Sequence, residues 1–277
     1  MITLMIRKVE QKMLTQFVNR RIHSTLRGID KSEQLQSFID PELNFRRNSI
    51  NLYIGRRGSG KTFNVLRELI KLSQLPDHGG YNSFVYCTDK TNDSTVKGLL
   101  PLIKLKTRVV SYANMIPFLK DLVDAKSAYE ETIEKGLVYD ITENCKKDLL
   151  RAVDVKEFGD RTPGTVVLYD DAINIFKTMK NKPLLDLLHQ NRQPKITYFL
   201  CMQDGFALPP QVKRNLDTCI LFGGFNDSQM LNMLLRQLNS SSKSNAELTN
   251  VYRNLSNREG LFFDYLPDGT DVKVLNE

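Results

Sequence analysis

Residues Leu52 to Leu66 read LYIGRRGSGKTFNVL. Within them, Gly55-Arg-Arg-Gly-Ser-Gly-Lys61-Thr62 satisfies G-x-x-x-x-G-K-[ST] in full. Gly55, Gly58 and Gly60 let the backbone turn without a Cβ clash. Successive N–H groups, Ser59 included, then point at phosphate oxygens, and the following helix adds its positive end. Lys61 reaches the β- and γ-phosphates of a nucleotide such as ATP. The Thr62 hydroxyl suits Mg²⁺, a hard cation that prefers oxygen. The flanks agree: Ser49–Ile54 (SINLYI) predicts a strand, and Lys61–Ser73 has apolar residues at helical spacing. A glycine-rich turn that binds nothing is disfavoured by that context.

Outward from this loop, short apolar runs alternate with helical patterns. Ser83–Thr88, Thr107–Ser111, Thr165–Tyr169, Ile196–Met202 and Thr218–Phe222 predict strands, several apolar enough to be buried on both faces. Asn114–Lys135, Asn144–Val153, Leu184–His189 and Asp227–Leu238 predict helices. Asn239–Asn245 (NSSSKSN) reads as a polar connector. Leu261–Tyr265, PDGT and Asp271–Leu275 predict a terminal hairpin. The expected fold is α/β: a mostly parallel central sheet covered by helices on both faces, with a C-terminal hairpin. Residues 1–47 read as an N-terminal arm or helical lead-in, and residues 48–277 as one nucleotide-binding domain.

Ligands of such sheets bind at the carboxyl ends of the strands, and the remaining polar candidates fall there. TVVLY runs into Asp170-Asp171. In P-loop NTPases an acid at this place holds the Mg²⁺ shell, so Asp170 is the expected metal ligand beside Thr62. Asp171 is the expected general base or water-positioning carboxylate. An isolated Asp-Asp more often caps a helix or lies in a turn; the strand before it and the loop upstream reverse that preference. ITYFLCM ends in Gln203, whose amide suits a γ-phosphate or an attacking water, if its strand lies between the other two in space. A surface glutamine is the competing reading.

Composition narrows the class. The hydrophobic share of 41% and charged share of 26% are those of a globular chain. A net charge of +7 mildly favours an acidic partner, of which nucleic acid is the commonest, with a charge set by solubility alone as an equal reading. Cys87, Cys145, Cys201 and Cys219 are isolated from one another, which suggests neither a disulfide framework nor a zinc site. No apolar run is long enough for a membrane span, and MITLMIRKVEQK lacks a signal-peptide layout.

GRRGSGKT, VVLYDD, and NRQPKITYFLCMQ followed by LPPQVKRNLDTCILF together resemble the genome-packaging ATPases of large double-stranded DNA viruses and virophages, in the FtsK–HerA superfamily. The resemblance runs from about Asn48 to Phe222. Its more specific parts are Asp170-Asp171, Asn191-Arg192 before a buried strand, Gln203 closing that strand, and Leu208–Asn215. Gln193 stands where the family usually has His, and Asp171 where the wider superfamily often has Glu.

The resemblance implies a P-loop ATPase of the RecA-like type acting as a double-stranded DNA translocase. It implies a homo-oligomeric ring, pentameric or hexameric, around the DNA, with a capsid or portal-vertex partner. The setting would be the host-cell cytoplasm, a viral factory or the virion. It further implies an arginine reaching into a neighbour's site. Arg192 matches that position, Arg214 is second, and the competing reading of Arg192 is a helix-capping surface residue. Lys90, Lys97, Lys104 and Lys106 are weak candidates for gripping DNA phosphates; a solvated lysine-rich face explains them better. Two rival functions share the loop. One is a small-molecule or nucleotide kinase, with GDRTPG as part of a lid. The other is a nucleotide-switched assembly factor that pumps nothing. A helicase is less favoured, because no aromatic-rich segment for single strands is present.

Overall fold

The run ITYFLCM, apolar at nearly every position, lies at the centre of the sheet. A computed structural model describes residues 43–90, 93–134, 163–171, 182–266 and 269–275. Most of the expected N-terminal arm, the helix expected at Asn144–Val153, Cys145 and most of GDRTPG lie outside the described residues.

Eight strands occur among them: β1 (Ile50–Ile54), β2 (Tyr81–Cys87), β3 (Lys106–Val110), β4 (Gly164–Asp170), β5 (Ile196–Met202), β6 (Thr218–Phe222), β7 (Gly260–Leu266) and β8 (Gly269–Leu275). Their order is β3-β2-β4-β5-β1-β6-β7-β8. The first six strands pair in parallel, and β7 and β8 add an antiparallel hairpin to β6. All residues of β1, β2, β4, β5 and β6 are buried. That explains why these strands read as continuous apolar runs, without alternation.

Helices cover both faces. On one lie α1 (Lys61–Leu72) and α2 (Ser94–Leu99). Tyr53, Phe84, Val166, Leu168 and Phe199 point to that side and pack on Val65, Leu66 and Leu69. The other face carries α3 (Tyr112–Glu134), α4 (Lys182–His189), the short α5 (Pro210–Lys213), α6 (Ser228–Leu238) and α7 (Asn245–Arg253). It buries Leu52, Ile54, Val167, Tyr169 and Leu200 against Leu119, Leu188 and Leu235. Alternate residues of one strand thus feed two cores. Each buried Leu, Ile or Phe contributes about 1.5–3 kcal/mol relative to exposure.

α7 follows the expected connector Asn239–Asn245, in a stretch for which the sequence suggested no element. Its start is a capping box: Ser244 takes the amide of Glu247, and the Glu247 carboxylate takes the amide of Ser244. The S-x-x-E signature was present in the sequence, but only Leu248, Thr249 and Tyr252 of this helix are buried, too few for a strong period. Residues 43–47, which sequence assigned to the arm, pack onto the domain. Phe45 is buried edge-on against Phe199, Asn44 hydrogen-bonds Glu68 and Arg46 pairs with Asp264.

Candidate active site

β1 ends at Ile54, and the chain turns at once into the glycine loop. The Gly55 amide donates to Met202 O at 3.1 Å, tying the loop to β5. A methyl group at Gly55 would lie 2.8 Å from Phe222 Cβ and 2.5 Å from Ser59 Oγ, so only glycine passes beneath the loop. Gly58 and Gly60 adopt φ of 82° and 85°, a region that disfavours side chains. Gly60 caps α1 without a side-chain bond, and the first turn carries no acid. The positive end of the helix is thus left to a ligand.

A cleft of about 310 Å³ opens above this helix end. Gly58, Gly60, Lys61 and Thr62 line it, together with Asp170, Asp171 and Gln203. Five of the seven expected nucleotide and metal contacts, Gly58, Gly60, Lys61, Thr62 and Asp170, therefore share one cavity with the expected catalytic acid and glutamine. Gly55 and Ser59 differ: both are buried under the loop, and the Ser59 amide donates to Arg56 O.

Lys61 Nζ donates to Gly55 O at 2.7 Å and Arg56 O at 2.8 Å. Burial lowers its pKa, opposed in part by the charges of Asp170 and Asp171. Thr62 Oγ1 donates to Asp170 Oδ1 at 2.7 Å. The other Asp170 oxygen accepts from the Tyr86 hydroxyl at 2.9 Å. Burial, then Asp170, pushes the Tyr86 pKa up, so this phenol stays a donor. Asp171 has φ of 65°, a left-handed conformation in which Asp is among the tolerated residues. Gln203 Nε2 donates to Asp171 Oδ1 at 3.0 Å, and Lys90 Nζ lies 2.9 Å from Asp171 Oδ2. β5 lies between β4 and β1, the arrangement that Gln203 needs.

Sequence reasoning assigned no role in the site to four contributors. Tyr86 was hidden in a strand. Lys90, weighed as a DNA contact, instead lines the cleft, with Arg57 from the loop and Arg258 from the segment before β7. Only contact in three dimensions identifies these.

Arg192 is not in this cavity. It is an exposed residue of the turn Asn191–Lys195 at the amino end of β5. Gln203 follows the other end, so a seven-residue strand separates them, about 20 Å at the usual rise. Arg214 closes α5 and is likewise exposed. Asn191 is buried and donates to Asn48 O, bracing the turn.

Hard oxygens from Thr62 and Asp170 stand side by side, a donor set that suits Mg²⁺ completed by phosphates and water. Among the described residues no group of three or more His, Cys, Asp or Glu is placed to hold a metal ion, and no helix is long and apolar enough to cross a membrane. Cys87, Cys201 and Cys219 are buried free thiols.

No protein-family profile and no curated protein sequence matches this chain. Solved structures do. The DNA-packaging ATPase B204 from Sulfolobus turreted icosahedral virus aligns with a TM-score of 0.51 at 18% identity, over 84% of this chain and 98% of that one. EssC (ATPases 2 and 3) from Geobacillus thermodenitrificans aligns with a TM-score of 0.53 at 13% identity, over 82% of this chain and 39% of that one. What is shared at these identities is the fold, that of a P-loop NTPase with a mostly parallel sheet.

Proposed function

We propose that the chain is an ATPase that drives double-stranded DNA into a viral capsid. The observation that carries this reading is the meeting of Lys61, Thr62, Asp170, Asp171 and Gln203 in one cleft, on a fold shared with a DNA-packaging ATPase.

Lys61 and the amides of the glycine loop hold the triphosphate. Thr62 and Asp170 would hold Mg²⁺, which supplies charge neutralisation across the phosphates when bound. Tyr86 fixes the Asp170 carboxylate. Asp171 orients or deprotonates the attacking water, and Gln203 holds Asp171 in place while facing the terminal phosphate. Catalysis of this kind is positioning plus electrostatics. Arg192 stands at the far end of its strand and acts on the site of a neighbour in a ring of subunits. A finger of this type is worth about 10³–10⁵ in rate in related chemistry. DNA is gripped through its phosphates, sequence-independently and with strong salt dependence. A capsid or portal-vertex protein is the docking partner, inside the host cell or its viral factory.

ATP hydrolysis with and without double-stranded DNA, beside a native mass of the oligomer, tests this reading. DNA-stimulated hydrolysis by a ring supports it. Phosphorylation of added nucleosides would replace it with a kinase. Slow turnover that DNA leaves unchanged would replace it with an assembly factor.

A further inference from the structure

The glycine loop accounts for one lysine in the cleft, and the loop after β2 brings a second. The backbone carrying Lys90 is held at several points. The Thr88 amide donates to Val110 O, the Lys90 amide donates to Thr88 Oγ1, and Asp89 Oδ1 accepts the Tyr112 amide at the start of α3. Asp93 caps α2 through the amides of Thr95 and Val96. The Lys90 side chain, by contrast, is 55% exposed, and its ammonium meets Asp171 Oδ2. An exposed pair of this sort is weak, so a more highly charged anion in the cleft competes for the same ammonium.

Arg57 and Arg258 also line the cleft, but three observations single out Lys90, the cation paired with Asp171. Lys61 is engaged low in the loop, against Gly55 O and Arg56 O. Arg192 lies at the opposite end of β5. Asp171 has both oxygens occupied, by Gln203 and by Lys90, and a carboxylate so engaged is a poor acceptor for a water proton until one partner leaves. Burial opposes the charge on Lys90, but the hydrogen bond to Asp171 and the charges of Asp170 and Asp171 together outweigh it, and the pKa is raised. The group is a cation wherever the enzyme works.

We propose that Lys90 is the residue by which this site distinguishes a nucleoside triphosphate from a diphosphate, its ammonium passing from Asp171 to the terminal phosphate and so freeing Asp171 Oδ2 for water. The inference rests on the nucleotide-binding reading above. A diphosphate has no terminal group to draw Lys90 away, so Asp171 stays engaged.

The test compares Lys90→Met and Lys90→Arg with the unaltered full chain, titrating ATPγS and ADP at one Mg²⁺ concentration. Lys90→Met is expected to weaken ATPγS by about tenfold while ADP changes by less than about twofold, the scale of one charge-assisted bond. Lys90→Arg retains the charge and is expected to restore most of the preference. Equal effects of Lys90→Met on both nucleotides, or none, would overturn the assignment. Failure of the unaltered chain to bind either nucleotide would instead overturn the nucleotide-binding reading on which it rests, and the two failures are therefore distinguishable.

Discussion

Thr62 Oγ1 donates a 2.7 Å hydrogen bond to Asp170 Oδ1 across 108 residues of sequence, and Tyr86 holds the second Asp170 oxygen from a neighbouring strand. The phenol reaches the expected metal site through this carboxylate. Tyr86→Phe keeps the buried ring and removes the hydroxyl that holds Asp170. The Mg²⁺ concentration for half-maximal ATP hydrolysis is expected to rise about tenfold or more, in the range seen when such supporting partners are removed. Asp170→Asn should shift it further. An unchanged Mg²⁺ dependence in Tyr86→Phe would show that Asp170 is oriented without it.

Lys61→Ala tests the loop itself. Its ammonium is buried and bonded to two loop carbonyls, and the triphosphate would lose its main cation. Hydrolysis is expected to fall by at least about 10²-fold, the size of a lost transition-state charge contact, with the circular dichroism spectrum unchanged. Wild-type turnover in this variant would sink the assignment.

Arg192→Ala should behave differently, because a strand's length separates Arg192 from the cleft of its own chain. ATP affinity is expected to hold, while turnover falls and no longer rises with assembly. Mixed under subunit exchange, Arg192→Ala and Lys61→Ala chains should regain activity, since some sites then carry an intact loop and an intact neighbour. Absence of any recovery would count against action between subunits.

Lys126 of α3 makes a prediction about stability. Its side chain is fully buried, with Nζ 2.6 Å from Pro163 O and 2.7 Å from Thr165 Oγ1. Burial, and then the charge of Lys195, lowers its pKa from 10.5 to about 7, against the pull of Glu130. Above pH 7 the folded chain has released this proton and the unfolded chain still binds it. Unfolding therefore takes up a proton, and stability rises with pH between about 7 and 10.5. The slope from this group approaches about 1.4 kcal/mol per pH unit. Denaturant titrations from pH 7 to 9 should show that rise in the unaltered chain and its loss in Lys126→Met. Parallel curves for the two would remove Lys126 as the cause.

Much of the sheet was legible because parallel strands buried on both faces must be apolar throughout, as ITYFLCM and TCILF are. The helix after the glycine loop was legible for the opposite reason, its period. α7 was not, since its stability comes from a capping box and from packing of Leu248 and Tyr252, and neither makes a strong pattern. The short α2 and α5 are too brief to show one.

Local chemistry alone determined the cradle. G-x-x-x-x-G-K-[ST] specifies its own turn, its cation and its hydroxyl, because all of these act within eight neighbouring residues. The acids and Gln203 were also within reach of sequence, as polar residues closing apolar runs at the strand ends where ligands bind. What only the tertiary structure decided is which side chains meet them. Tyr86 reaches Asp170, Lys90 reaches Asp171 and Arg258 enters the cleft because β2, β4 and the segment before β7 converge there. Arg192 is kept at the far end of β5 by the same parallel packing. Strand order and register set these distances, and they arise from burial summed over the whole sheet, which no single stretch of sequence contains.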